Sequence, residues 1–215
     1  MSGTNLYVYG VYESDETDES ELELDVDGVG GAEHVTTVSF RNLSALVSEI
    51  DTTDPEQTDE NAQAHDDVLR AALEHEDEPT VVPMQFGMAF ESARTLKNVL
   101  RGTRHSFTKA LRDVSGTVEL GVKVVNEEDV SIAESTVREV IDDHLEEPSV
   151  NRVENDQFSD RLLANEAYLV ERDRRTEFDE AVADLEDELD GDAMVQYTGP
   201  WAPYNFVDIH IGARQ

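Results

Sequence analysis

The sequence predicts an α+β protein of two small domains, the second a ferredoxin-like sandwich. Three observations carry this expectation. The chain has 215 residues, room for one large domain or two small ones at roughly 100–200 residues each. Apolar residues recur with strand and helix periods in alternating blocks. Gly116 closes a long helical period and a clean strand alternation follows it, which places a boundary there and predicts domains over 1–114 and 115–215.

Leu6 to Tyr12 is short, aromatic and β-branched, the pattern of a buried strand. The stretch 13–27 carries nine acids and no base, so it reads as a solvated loop. His34–Phe40 and Leu43–Ile50 are strand-like and flank Arg41-Asn42, which suits the tight turn of a hairpin. Asp54-Pro55 offers an N-cap with proline behind it. From there to about Glu76, Ala64, Val68, Ala71, Ala72 and Leu73 repeat at helical spacing. Thr80–Phe86 returns to strand, and Pro83 assigns it to an edge or bulge because proline cannot donate to a ladder. Glu91–Asp113 reads as a second helix, weakened by Gly102.

Val118, Leu120, Val122 and Val124 alternate with polar or small residues in a half-buried strand. Ala133, Val137, Val140, Ile141 and Leu145 form an amphipathic helix stopped by Pro148. Leu162–Val170 fits a strand, although its pattern also admits a helix. Phe178, Ala181, Val182, Leu185 and Leu189 make another helix, with Gly191 at its C-terminal cap. Met194–Tyr197 and Phe206–Ile211 are predicted as closing strands around a turn at Gly199–Pro203. The predicted order of the second half is β-α-β-α-β-β, which suits an α+β sandwich.

Charge separates the possible partners. There are 50 acidic and 16 basic residues, a formal charge of −34, divided as 24 acids and 8 bases in 1–114 and 26 and 8 in 115–215. A surface this acidic repels nucleic acid and anionic membranes, which are bound through clustered Lys and Arg. It is suited to a salt-accumulating cytosol, because in molar salt the Debye length falls to roughly 3 Å and self-repulsion is screened; an acidic protein of an ordinary cell is the alternative. No basic, apolar leader and no membrane-length apolar run is present, so a soluble cytoplasmic protein is expected. Cysteine is absent, which excludes disulfides, thiolate zinc sites and a thiol nucleophile.

Catalytic chemistry is hard to find. The six histidines include no pair at i, i+4 and no HExxH, so no cofactor, metal or catalytic residue is assigned and the histidines are expected at the surface. Glu23 to Gly28 resembles the opening of a calcium loop, but position 12 is His34 where a bidentate Glu is required. Gly28–Gly31 lacks the strand before and helix after that a phosphate cradle needs. Against the acidic background, Ser92–Arg112 contains no acid and holds Arg94, Lys97, Arg101, Arg104, Lys109 and Arg112. At helical spacing these six share one face within an arc of about 140°. They either pair with acids elsewhere in the fold or form a docking face for an acidic partner. Tyr197, Trp201, Tyr204 and Phe206 cluster near the end, as core closure or as an exposed anchor.

Five segments together resemble the gas vesicle protein F/L family: Leu6–Val11, Val81–Gly87, Val118–Val124, Asn165–Val170 and Tyr197–Val207, in order and spanning nearly the whole chain. The acidic composition matches its haloarchaeal branch, and the modest length its shorter F member. The resemblance implies two α+β domains, the second a modified ferredoxin-like one, and no enzymatic activity. It also implies an accessory or minor vesicle component that binds gas vesicle shell protein A, prevents its aggregation and joins other accessory proteins at nucleation. A shell subunit facing gas must expose apolar surface, an aggregation hazard before assembly. Three surfaces are candidates for covering it: the edge carrying Pro83, Met84, Phe86 and Met88; the segment with Trp201, Tyr204 and Phe206; and the basic stripe, represented by Arg94, Lys97, Arg101 and Arg104. The alternatives are a small-ligand-binding regulator or enzyme on the same scaffold, or a structural component of the vesicle wall.

Overall fold

The computed structural model describes residues 5–14, 22, 24–76, 78–127 and 132–209, grouped in two compact units that divide between Ser115 and Gly116, with the stretch from Val207 onward assigned to the first. Most of the acidic loop, residues 15–21 and 23, lies outside the described residues.

The first unit is an antiparallel sheet built on β1 (Asn5–Glu13). β2 (Thr36–Phe40) and β3 (Leu43–Ile50) form the expected hairpin, and β3 pairs with β1 along its full length. On its other side β1 meets β4 (Val81–Pro83) and then β5 (Ala89–Phe90), which share that edge. Between them Met84 N–H donates to the Tyr9 carbonyl, and Val8 N–H to that of Met88. Pro83 therefore sits on an edge strand, as a residue without an N–H must. β1 and β3 are buried almost throughout, which is why Leu6–Tyr12 carries an apolar run and not an alternation. Gly10 is required by packing: a Cβ there would lie 2.6 Å from Val81 Cγ1 and 3.1 Å from the Val82 carbonyl oxygen. Gly10→Val is expected to cost about 2 kcal/mol or more, as overpacking does, read as a lowered urea midpoint.

α1 runs Asp59–Leu73, capped by Thr58, whose Oγ1 accepts from Asn61 N–H. The expected start at Asp54-Pro55 is corrected: both are plausible caps, but Thr58 is followed by Asp59 and Glu60, which favour the first turn. α2 runs Ala93–Asp113 without interruption, capped by Ser92, and buries Leu96, Leu100, Phe107 and Leu111. Gly102 lies within it and is exposed.

The second unit is a four-stranded antiparallel sheet ordered β7-β8-β6-β9: β6 (Thr117–Asn126), β7 (Asn151–Glu154), β8 (Leu162–Glu171) and β9 (Ala193–Trp201). α3 (Glu134–Leu145) follows β6 and α4 (Arg175–Glu188) follows β8. Val118, Leu120, Val122, Val124, Tyr168 and Val170 form one core with Val137, Ile141, Phe178 and Leu185. The order is β-α-β-β-α-β, the ferredoxin-like arrangement; the expected β-α-β-α-β-β was wrong in two places. β7 is missing from it because Asn151–Glu154 has exposed ends and a half-buried middle, leaving no apolar signal. The predicted strand at Phe206–Ile211 is a single 3-10 turn at Tyr204–Phe206 followed by irregular chain to Ile209, and residues 210 and 211 lie outside the described residues. Nor is Gly199–Trp201 a turn. β9 continues through it, taking up a register shift against β6 between Glu119 and Gly121, with Gly199 at φ 117°.

Candidate functional site

α2 carries the basic stripe. Its apolar face is buried against the first sheet, so Arg94, Lys97, Arg101, Lys109 and Arg112 are left exposed, with Arg104 half-buried. Their partners bear on the first reading of the stripe, pairing with acids elsewhere in the fold. Lys109 and Arg112 pair with Asp113 on the same helix, at 3.0 and 3.9 Å. Arg101 donates to Asn98 Oδ1 at 2.8 Å and Arg104 to Asn42 Oδ1 at 3.1 Å, both neutral acceptors. Among the described residues, Arg94, Lys97, Arg101 and Arg104 pair with no carboxylate. Among the described residues the stripe is thus not neutralised by acids of other elements, in a chain with three times as many acids as bases.

The Pro83 edge is different. Pro83 and Met84 are buried, Met84 being 4 % exposed, so neither side chain presents a surface. Phe86 and Met88 are half-buried. The Phe86 ring stands 5.8 Å from that of Tyr7 and 6.0 Å from that of His65, which makes it mainly part of the core. A methionine-rich edge that could release a partner is therefore corrected to an edge whose side chains largely turn inward.

Trp201, Tyr204 and Phe206 remain half-exposed, while Ala202 and Pro203 between them are buried. The segment is held by Glu119 on β6. That carboxylate, 5 % exposed, accepts from Asn205 N–H at 2.8 Å and from its side-chain amide at 2.6 Å. Burial raises the Glu119 carboxyl pKa, and the two hydrogen bonds partly oppose the rise. Glu119→Ala is expected to release the segment, seen as faster amide exchange over Trp201–Phe206 with the β6–β8 ladder still protected.

Three groups were invisible in sequence. His65 was expected at the surface; it is 2 % exposed. Its Nε2–H donates to the Met84 carbonyl at 3.1 Å, and its Nδ1 accepts from the Tyr7 hydroxyl at 2.8 Å. Burial lowers its pKa from 6.5 to about 4. Glu166, 4 % exposed, lies 3.6 Å from Arg152 Nη1. Val150, Phe158 and Met194 are exposed apolar side chains that follow no period because they sit in loops and on an edge strand. The Gly28–Gly31 loop spends its N–H groups internally: Val29 donates to the Tyr9 hydroxyl at 2.9 Å and Gly30 to Asn61 Oδ1 at 3.0 Å. Among the described residues no three His, Asp or Glu side chains stand together as a metal site, and no helix is long and apolar enough to cross a membrane.

Comparisons with known proteins place this geometry. A model of the family "Gas vesicle synthesis protein GvpL/GvpF" matches residues 5–138 and 127–208. Gas vesicle protein F of Haloferax mediterranei is 56 % identical over 98 % of this chain and 97 % of its own. Gas vesicle protein F1 of Halobacterium salinarum is 55 % identical over 98 % and 96 %. The crystal structures of GvpF from Anabaena and from Microcystis aeruginosa superpose with TM-scores of 0.83 and 0.82 at 18 and 16 % identity. Each covers 96 % of this chain, and 97 and 100 % of the crystallised chains respectively is matched. The fold is therefore shared far beyond the range of close sequence similarity, and the chain belongs to the GvpL/GvpF family of gas vesicle synthesis proteins.

Proposed function

We propose that this protein, whose family acts in gas vesicle formation, is an accessory component that binds the small hydrophobic shell protein A, keeps it from aggregating and joins other accessory proteins at nucleation. It works in the cytoplasm and associates with the vesicle as a minor component. The observation that carries a protein-docking role is the α2 stripe: Arg94, Lys97, Arg101 and Arg104 pair with no carboxylate among the described residues. Half-exposed Trp201, Tyr204 and Phe206, anchored from behind through Glu119, supply apolar surface of the kind that dominates binding hot spots.

A pull-down with the shell protein in molar KCl tests the reading; retention of neither the shell subunit nor any companion accessory protein would sink it. The stripe has its own test. Changing Arg94, Lys97, Arg101 and Arg104 together to Glu is expected to abolish partner binding with little change in melting temperature, because among the described residues the side-chain bonds lost go only to Asn42 and Asn98. Unchanged binding with a lower melting temperature makes the stripe structural.

A further inference from the structure

We propose that the groove between the Arg41-Asn42 turn and the middle of α2 binds the carboxylates of an extended acidic segment from a partner protein. This deepens the assembly reading by giving the chemistry of one partner. The groove encloses about 450 Å³ and is lined by Phe40, Arg41, Arg101, Gly102, Arg104, His105 and Thr108. Three guanidinium groups and an imidazole converge there, from elements about 60 residues apart in the chain, and among the described residues no carboxylate lines it.

Two local costs are concentrated at this spot. Arg41 holds φ 56° in a tight turn, a left-handed conformation that Gly or Asn adopts far more easily. Gly102 lies in the middle of α2, where glycine costs about 1 kcal/mol against alanine, yet nothing lies within 4 Å of where its Cβ would be, so packing does not demand a glycine. Strain kept where the fold does not require it is a mark of a working surface. Here the first places a guanidinium at the rim of the groove and the second keeps its floor open. Asn42, beside Arg41, accepts from Arg104 Nε at 3.1 Å. That fixes the plane of the guanidinium and leaves its terminal nitrogens for an incoming carboxylate.

Salt selects the ligand chemistry. In molar salt a distant charge is screened within roughly 3 Å, so a stripe of exposed cations steers little. Contact hydrogen bonds survive, and the bidentate guanidinium–carboxylate pair is the strongest of that kind. An extended peptide fits better than a single anion, because the groove opens onto the rest of the cationic face: Arg94 and Lys97 toward one end of α2 and Lys109 and Arg112 toward the other. The half-buried Phe40 ring carries the Arg41 guanidinium 5.8 Å from its centre, which holds that cation at the groove.

The test is an anisotropy titration in molar KCl of a fluorescein-labelled peptide of alternating Glu and Ala, with the Gln-and-Ala peptide as control. The Glu peptide is expected to bind and the Gln peptide not. Arg41→Gly and Arg101→Gln are each expected to weaken binding about tenfold, while Arg138→Gln, on α3 and outside the groove, leaves it within about twofold. Arg41→Gly is also expected to melt no lower than the wild type, because it relieves the left-handed strain, so its loss of binding is not a loss of fold. Equal binding of both peptides, unchanged affinity in Arg41→Gly and Arg101→Gln, or full displacement by inorganic phosphate at the peptide's own concentration overturns the proposal. None of those results touches the shell-protein pull-down, which is scored on wild-type protein without the peptide, so the two readings fail separately.

Discussion

Replacing Arg152 with Met is expected to destabilise the second unit by about 3 kcal/mol, read as a lowered urea midpoint in molar KCl. Arg152 lies on β7 and reaches two carboxylates: Asp142 on α3, through a direct hydrogen bond, and buried Glu166 on β8, at 3.6 Å. The Tyr168 hydroxyl also donates to Glu166. Without the guanidinium, Glu166 keeps one neutral donor and loses its cation while 4 % exposed. Stranding one partner of a buried pair costs about 3–5 kcal/mol, and the low end applies because Arg152 is itself 32 % exposed. Adding Glu166→Gln to the Met variant removes the stranded charge and is expected to recover most of the loss. A single variant as stable as the wild type defeats the argument. The pair also holds the edge strand β7 in place, since β7 has little apolar surface of its own.

Acidification has an effect of similar size in the first unit, through His65. Its pKa is 6.5 when unfolded and about 4 when folded, because burial penalises the imidazolium more than the hydrogen bond to the Met84 carbonyl favours it. Between those values the unfolded chain binds the proton and the folded chain does not, so stability rises with pH across the window. The contribution is complete above 6.5 and falls by about 3 kcal/mol as pH is lowered to 4. Protonating surface carboxylates relieves repulsion and pushes the other way. The readout is therefore the difference in slope between wild type and His65→Gln, melted in molar KCl from neutral pH to about 4. The variant is expected to lack the acid-sensitive component; equal slopes would mean that His65 charges without opening the core.

The strands buried on both faces and the helices with one apolar stripe were readable because burial prints a period on neighbouring residues. β1, β3, β6 and all four helices appear close to where the period put them, and Leu162–Val170, open between strand and helix, is β8. β7 failed for the opposite reason: its partner Glu166–Leu169 carries the apolar residues, and β7 itself contributes mainly ladder hydrogen bonds, Arg152 and Glu154, which pairs with Arg138 at 2.9 Å. The site residues divide in the same way. The stripe on α2 could be found because six bases share one helix face. That Arg41 stands beside Arg101 and Arg104 could not, since only the hairpin's packing on α2 joins them. Met84 looked available because a short edge segment with proline does not reveal which way its side chains turn.

By itself the sequence determined the family, through five ordered segments, the alternation of its core elements, and an excess of acids in both halves. Those properties are local or additive: each residue contributes through its own period, its own charge or its place in a motif. The tertiary structure alone decided the strand order of the second unit, the burial of His65, Glu119 and Glu166, and which cations of α2 pair with no acid among the described residues. These depend on pairs of residues tens of positions apart, whose energies are set by desolvation and hydrogen-bond geometry, and neither leaves a mark on the spacing of residues along the chain.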